Sequence, residues 1–175
     1  MSQARPDSER DLLVHLLDFL ADTPDKLANF AAALSDEEVR QRTSPELFST
    51  LENICHLRDL ELQGYATRID RILTEDQPSL ADFDGARVAA EGNYNGEDPG
   101  RALAEFRNGR NANVQKLRSA TANELTRAGL LEGVGLITLP KLAELMGEHD
   151  EGHLEDLRVL QQQLERRRLN DASPA

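Results

Sequence analysis

The chain has 175 residues, with 32 acidic against 20 basic side chains and a net charge of −12, so it repels phosphate backbones and offers no Lys/Arg stripe to offset that; nucleic acid is excluded as a partner. Apolar residues make up 39 %, Leu dominates, aromatics are 4 % and Trp is absent, which predicts one aliphatic core in a single domain over residues 1–175, with its core from about 8 to 168. No apolar run approaches a membrane span, and the polar stretch Met1–Arg10 lacks the apolar segment of a signal peptide, so a soluble, cytoplasmic protein is expected, with no membrane partner.

In chain order, the first predicted helix runs from about Ser8 to Leu34, with Leu12, Leu13, Leu16, Phe19 and Leu20 on its apolar face. Pro24 is expected to kink or break it, because proline lacks an N–H and clashes with the preceding turn. Ser35-Asp36-Glu37-Glu38 reads as a capping box for a short helix ending near Arg40. A second long helix opens at Ser44-Pro45-Glu46 and continues to about Leu73. Thr74–Gly96 reads as an irregular stretch, and long loops inside compact domains are often functional. A third helix starts at Asp98-Pro99 and ends near Leu125. Gly129, Gly133 and Gly135 mark the next connection. A fourth helix opens at Thr138-Leu139-Pro140 and reaches about Arg168, where Arg166-Arg167-Arg168 complements the helix dipole; Asn170–Ala175 form a polar tail expected to fray. No segment alternates as a strand should. The fold class is all-α: an antiparallel-type four-helix bundle with long connections.

The fourth helix carries the clearest stripe, Leu142, Met146, His149, His153, Leu157, Leu160 and Leu164. Two histidines four residues apart lie one turn apart on one face. Burying two imidazoles among leucines costs free energy unless both are bonded, and a metal bonds both at once. The spacing also resembles half of a zincin site, but that motif has Glu after the first His and this chain has Asp150, whose carboxylate points off the His149–His153 face; a metalloprotease is rejected. His56, the third candidate, lines up on a helical projection with Glu52, Leu60, Gln63 and Thr67, a face that reads equally as cavity lining or as solvated surface. His15 has no second histidine at helical spacing and reads as a locally bonded or exposed residue.

Cys55 is the only cysteine, so no intrachain disulfide exists, and its side chain points about 100° from that of His56; a buried structural thiol is expected rather than a nucleophile. Among possible helpers, Glu52 sits one turn from His56 and could orient it, or be solvated. Glu61 is some 140° around the helix from His56 and should serve polar contacts elsewhere. Tyr94 could cover the site from the long loop, and Arg107 and Arg110 could bind an anionic group or form surface ion pairs.

His56-Leu57-Arg58-Asp59-Leu60-Glu61 on the second helix and His149-Asp150-Glu151-Gly152-His153 on the last resemble the His-Leu-x-x-x-Glu and His-Asp-x-x-His segments of the DinB-like metal-binding four-helix-bundle superfamily. Thr23-Pro24-Asp25-Lys26-Leu27 and Gly135-Leu136-Ile137-Thr138-Leu139 are similar to further family features, so the resemblance extends over nearly the whole chain. It departs after the last histidine, where many members continue Gln-Ile and this chain has Glu155-Asp156-Leu157. The resemblance implies His56, His149 and His153 as ligands of a divalent metal, with Zn, Ni and Fe all suited to imidazole. It implies a metal-dependent enzyme acting on a small molecule: a thiol S-transferase using a low-molecular-weight thiol such as bacillithiol or mycothiol, slightly ahead of a hydrolase. It also implies a homodimer. The competing expectation is a non-catalytic, stress-associated bundle whose metal site is structural or vacant.

Overall fold

The structure, a computed structural model, describes residues 6–171, with side chains described from Arg10 onward. Four helical rods make the bundle: α1 (Pro6–Ala32), a rod formed by α2 (Thr50–Asp59) and α3 (Ala66–Thr74), α5 (Pro99–Ser119) and α7 (Leu139–Asp171). The smaller elements are α4 (Gly85–Glu91), α6 (Ala122–Leu125) and three short strands, β1 (Ser79–Leu80), β2 (Ala128–Leu131) and β3 (Gly135–Thr138). The last four residues of the expected fraying tail, 172–175, lie outside the described residues, while Asn170 and Asp171 are still helical.

Most boundaries follow local chemistry. Asp98 accepts from the Arg101 N–H and Pro99 occupies the first turn of α5, where its missing N–H costs nothing. Ser35 and Glu38 cap each other before the short turn at Glu38–Arg40. The second rod, however, starts at Thr50 rather than at Ser44-Pro45, because Ser49 and Glu52 form the reciprocal capping box. A second box, Thr121 with Glu124, starts α6 after the chain has left α5 at Ser119.

Pro24 neither breaks nor ends α1, which continues to Ala32. Proline leaves the carbonyl four residues back without its helical donor. That carbonyl belongs to Leu20, and it accepts instead from Arg110 Nη1 at 3.1 Å. Leu12, expected on the apolar face of α1, is exposed.

Side-chain pairs fix the helix directions. Arg58 meets Glu105, Glu61 meets Arg110 and Asp70 meets Lys116, so the α2–α3 rod and α5 run parallel. Asp18 meets Arg118 and Asp25 meets Arg107, so α1 runs antiparallel to α5. His56 faces His149 and Asn53 faces His153, so α7 opposes α2. Leu16 lies against Gly147 and Ala33 against Arg168, so α7 runs parallel to α1. Two of the four neighbouring pairs are therefore parallel, which corrects the antiparallel expectation. A parallel pair requires the chain to travel back along the rod, about 37 Å for Thr50–Thr74. This return explains the long connection between α3 and α5, and it carries that connection past His56.

The all-α class holds, and to it the structure adds three short strands where none was expected. β2 and β3 form an antiparallel hairpin with Leu131 opposite Gly135, and β1 adds in parallel with Leu80 beside Leu131. Gly133 turns the hairpin at φ +76 and Gly135 follows at φ +107, a region closed to most side chains. Ile137, Leu131 and Leu80 point inward and close one end of the bundle.

The bundle core has two apolar halves. Leu17, Ile69, Leu117, Leu142 and Met146 belong to one; Leu27, Ile54, Phe106, Leu157 and Leu160 belong to the other. Between them lies a polar layer to which every rod contributes. Arg110 is fully buried and donates to Glu61 at 3.0 Å, to Asp150 at 2.5 and 3.1 Å, and to the Leu20 carbonyl. Asn113 donates to the second Glu61 oxygen at 2.8 Å. The expectation that Arg110 could bind an anionic substrate is thereby corrected: its donors are used inside the core. Arg107 forms the surface pair with Asp25.

Candidate metal centre

The histidines sit at the edge of this polar layer. α2 holds His56, and α7 holds His149 and His153 one turn apart. Asp150 and Leu154, one residue after each α7 histidine, are the fully buried members, so the imidazoles flank the core rather than occupy its centre as the stripe suggested. The three are brought together: His56 Nε2 lies 3.4 Å from His149 Nε2, and His153 Nε2 lies 3.3 Å from the same atom. All three ligand nitrogens fall within 4.8 Å of one another.

The tautomer of His153 follows from its neighbour. Asn53 Nδ2 donates to the Ser49 carbonyl at 2.9 Å and the Phe48 carbonyl at 3.3 Å, which turns its Oδ1 toward α7. That oxygen can only accept, so the contact of 2.7 Å with His153 Nδ1 requires a proton on Nδ1. His153 Nε2 is then a bare lone pair aimed at the other two imidazoles. His56 Nδ1 and His149 Nδ1 have no partner among the described residues.

Burial lowers all three pKa values, and the neighbouring imidazoles lower two of them further. His56 falls to about 4, by burial and then by His149. His153 falls to about 3, by burial and then by His149 and His56. His149 is lowered, chiefly by burial. The cluster is therefore neutral at pH 7. A proton on His149 Nε2 can serve only one of its two neighbours, whereas one cation can bind all three lone pairs. Two nitrogens on a tetrahedral ion at 2.0–2.1 Å would be about 3.3–3.4 Å apart, which matches the observed separations. The donor set fits a divalent metal.

Beside the cluster opens a cleft of about 260 Å³, lined by His56, His149, Leu60, Tyr65 and Arg68 from the bundle and by Asp82, Phe83 and Gly85 from the long connection. Gly85 rests on His56: a Cβ there would come within 2.6 Å of the imidazole Cε1. The second rod reaches the cleft through a π-helical turn at Leu60–Tyr65. Such a turn inserts one residue into the helical repeat, and it recurs at functional sites. Consequently the face below His56 continues through Tyr65 and Arg68, while Gln63 and Thr67, which a regular helix would place there, are exposed.

The other sequence candidates lie elsewhere. Glu52 is held by Arg42 at 2.7 Å and by the Ser49 cap. Glu61 belongs to the Arg110 layer. Tyr94 is buried with its hydroxyl on Asp59 at 2.8 Å and does not line the cleft. Cys55 is fully buried, and burial raises its pKa to about 12, so the expected structural thiol is what is found. His15 is exposed. Asn53, Tyr65, Arg68 and Phe83 were not singled out from the sequence; an amide three residues before His56, on the same helical face, was the one available signal.

Fold and site together define a four-helix-bundle protein with a histidine cluster able to hold a metal. The DinB superfamily model matches residues 20–157, and the chain belongs to that superfamily. Among solved structures it is similar to YfiT from Bacillus subtilis, described as a probable metal-dependent hydrolase with an unusual four-helix bundle topology; the TM-score is 0.80 at 18 % identity, covering 94 % of this chain and 92 % of that one. No curated protein sequence matches this chain. Among the described residues, no helix is long and apolar enough to cross a membrane.

Two predictions arise from this geometry. Asn53→Ala frees the His153 ring and its tautomer, and is expected to weaken metal binding about 10–100-fold, as measured by competition with a chromophoric chelator. The second concerns acidity. An unfolded histidine takes up its proton near pH 6.5, whereas folded His56 and His153 remain neutral down to about 4 and 3. Between those values the unfolded chain binds more protons, so stability is full above about pH 6.5 and is lost as pH falls toward 4. The Tm of metal-free protein should fall across that window, and less steeply in His153→Asn.

Proposed function

We propose that the chain is a metal-dependent enzyme acting on a small molecule, with His56, His149 and His153 as the metal ligands and hydrolysis as the reaction. The observation that carries this reading is the meeting of three neutral imidazoles, with Nε2 separations of 3.3 and 3.4 Å, beside a cleft. Three protein ligands leave positions free, as in catalytic zinc sites. When bound, a divalent ion supplies Lewis-acid chemistry, lowering the pKa of a water or a thiol toward neutrality. The chain's own residues do the positioning: Asn53 holds the His153 tautomer, the Gly85 backbone packs on His56, and Leu60, Tyr65 and Phe83 shield the cleft. The similarity to a protein described as a probable metal-dependent hydrolase supports hydrolysis.

Transfer to or from a low-molecular-weight thiol is the second reading. It is favoured by the scarcity of general bases: among the described residues the one carboxylate lining the cleft, Asp82, is exposed and lies beside Arg68. A thiol whose pKa has fallen needs no buried base. The test is elemental analysis of protein purified without a chelating column, followed by assays against esters and amides and against electrophiles with a panel of thiols. Bound divalent metal with ester or amide turnover, lost in His149→Ala, is the expected result. An absolute requirement for thiol would replace hydrolysis by transfer. Firm metal retention with neither activity would favour the non-catalytic bundle.

A further inference from the structure

Arg68 stands apart from the other arginines buried in this chain. Arg58 binds Asp59, Glu97 and Glu105, and Arg110 binds Glu61 and Asp150. Arg68 is 7 % exposed, yet among the described residues it donates one hydrogen bond, from Nη2 to the Ala81 carbonyl at 3.0 Å, and its Nε has no partner. A guanidinium carries five N–H donors. Its nearest carboxylate, Asp82, is 3.7 Å away with a side chain 73 % exposed, too far for a hydrogen bond and free to turn into solvent. The π-helical turn brings Arg68 into the wall of the cleft that holds His56 and His149, and it is the only Lys or Arg there among the described residues.

We infer that Arg68 is a carboxylate-binding subsite, so that the substrate is a small monocarboxylate whose acid group pairs with the guanidinium while its reacting end lies at the histidines. This rests on the reading of the histidines as the reacting end of the cleft. One planar fork suits one carboxylate, displacing Asp82. A phosphate dianion would meet a single cation with Asp82 beside it. Leu60, Tyr65 and Phe83 supply an apolar wall for the carbon skeleton, and about 260 Å³ limits that skeleton to a small one.

The test uses benzoate and its neutral isostere benzamide as probes on the full-length, metal-free protein, observed by NMR through the Arg68 Nε–H resonance. Benzoate should shift that resonance and bind at least about 10-fold more tightly than benzamide, because charge-assisted hydrogen bonds exceed neutral ones by that margin. In Arg68→Gln the preference should disappear while metal affinity stays within about 2-fold of wild type, since Arg68 is not a ligand. His153→Ala should retain the benzoate preference, which separates failure of the subsite from failure of the metal reading. Equal binding of both probes by the wild-type protein overturns the inference, whether or not Arg68→Gln folds. So does a benzoate preference that survives in Arg68→Gln or leaves the Arg68 resonance unmoved.

Discussion

Arg110→Ala is expected to destabilise the protein by about 3–5 kcal/mol, the cost of breaking a buried ion pair while leaving its partners in place. Against a usual total of about 5–15 kcal/mol, much of the stability would go. The reason is specific to this bundle. Glu61 and Asp150 are both fully buried, and each loses its cation at once. The Leu20 carbonyl, already deprived of its helical donor by Pro24, loses its replacement as well. Burial already raises the Glu61 pKa against the pull of Arg110; without the guanidinium it should rise further, and urea unfolding would show partial recovery of stability on acidification. A triple replacement of Glu61, Arg110 and Asp150 by apolar residues of similar volume should cost far less than Arg110→Ala alone. Equal losses in the two variants would show that packing at Arg110, not its charge, holds the layer together.

The second large effect concerns the histidines. His56→Ala, His149→Ala and His153→Ala should each lower metal affinity by at least about 100-fold, beyond the range of an outer-shell change such as Asn53→Ala. His15→Ala should leave it unchanged, because that side chain lies on the exposed face of α1. The bundle should remain folded in each case, since His149 and His153 are only partly buried and the leucine halves of the core lie to either side of the cluster. Competition titrations with a chromophoric chelator read the affinities, and far-ultraviolet circular dichroism reads the fold. Similar affinities in all four variants would remove the histidines from any metal site.

The sequence made the rods and the histidines legible because both depend on helical spacing. Asp98-Pro99 and Ser35–Glu38 are local signals, and the structure uses them as written. The hairpin escaped because its two faces are equally apolar. Ile137 and Leu131 point inward, while Leu130, Val134 and Leu136 remain exposed, so no polar alternation marks the strands. The start of α2 was misplaced because Ser44-Pro45 and Ser49–Glu52 both match a helix start, and only the second closes a capping box. The cleft escaped for a subtler reason. Projecting His56 forward on a regular helix leads to Gln63 and Thr67, whereas the extra residue of the π-helical turn shifts the face onward, to Tyr65 and Arg68. No residue type in Leu60–Tyr65 announces such a turn. The role of Arg110 was hidden because a lone arginine on a helix usually reaches solvent, and its two carboxylates lie 49 and 40 residues away in sequence.

Crystals grown with a slight excess of zinc would test the central assignment most directly, through the anomalous difference map at the zinc edge. One strong peak per chain is expected, about 2.0–2.2 Å from Nε2 of His56, His149 and His153. A fully occupied zinc bound elsewhere, with these three nitrogens uncoordinated, would contradict it.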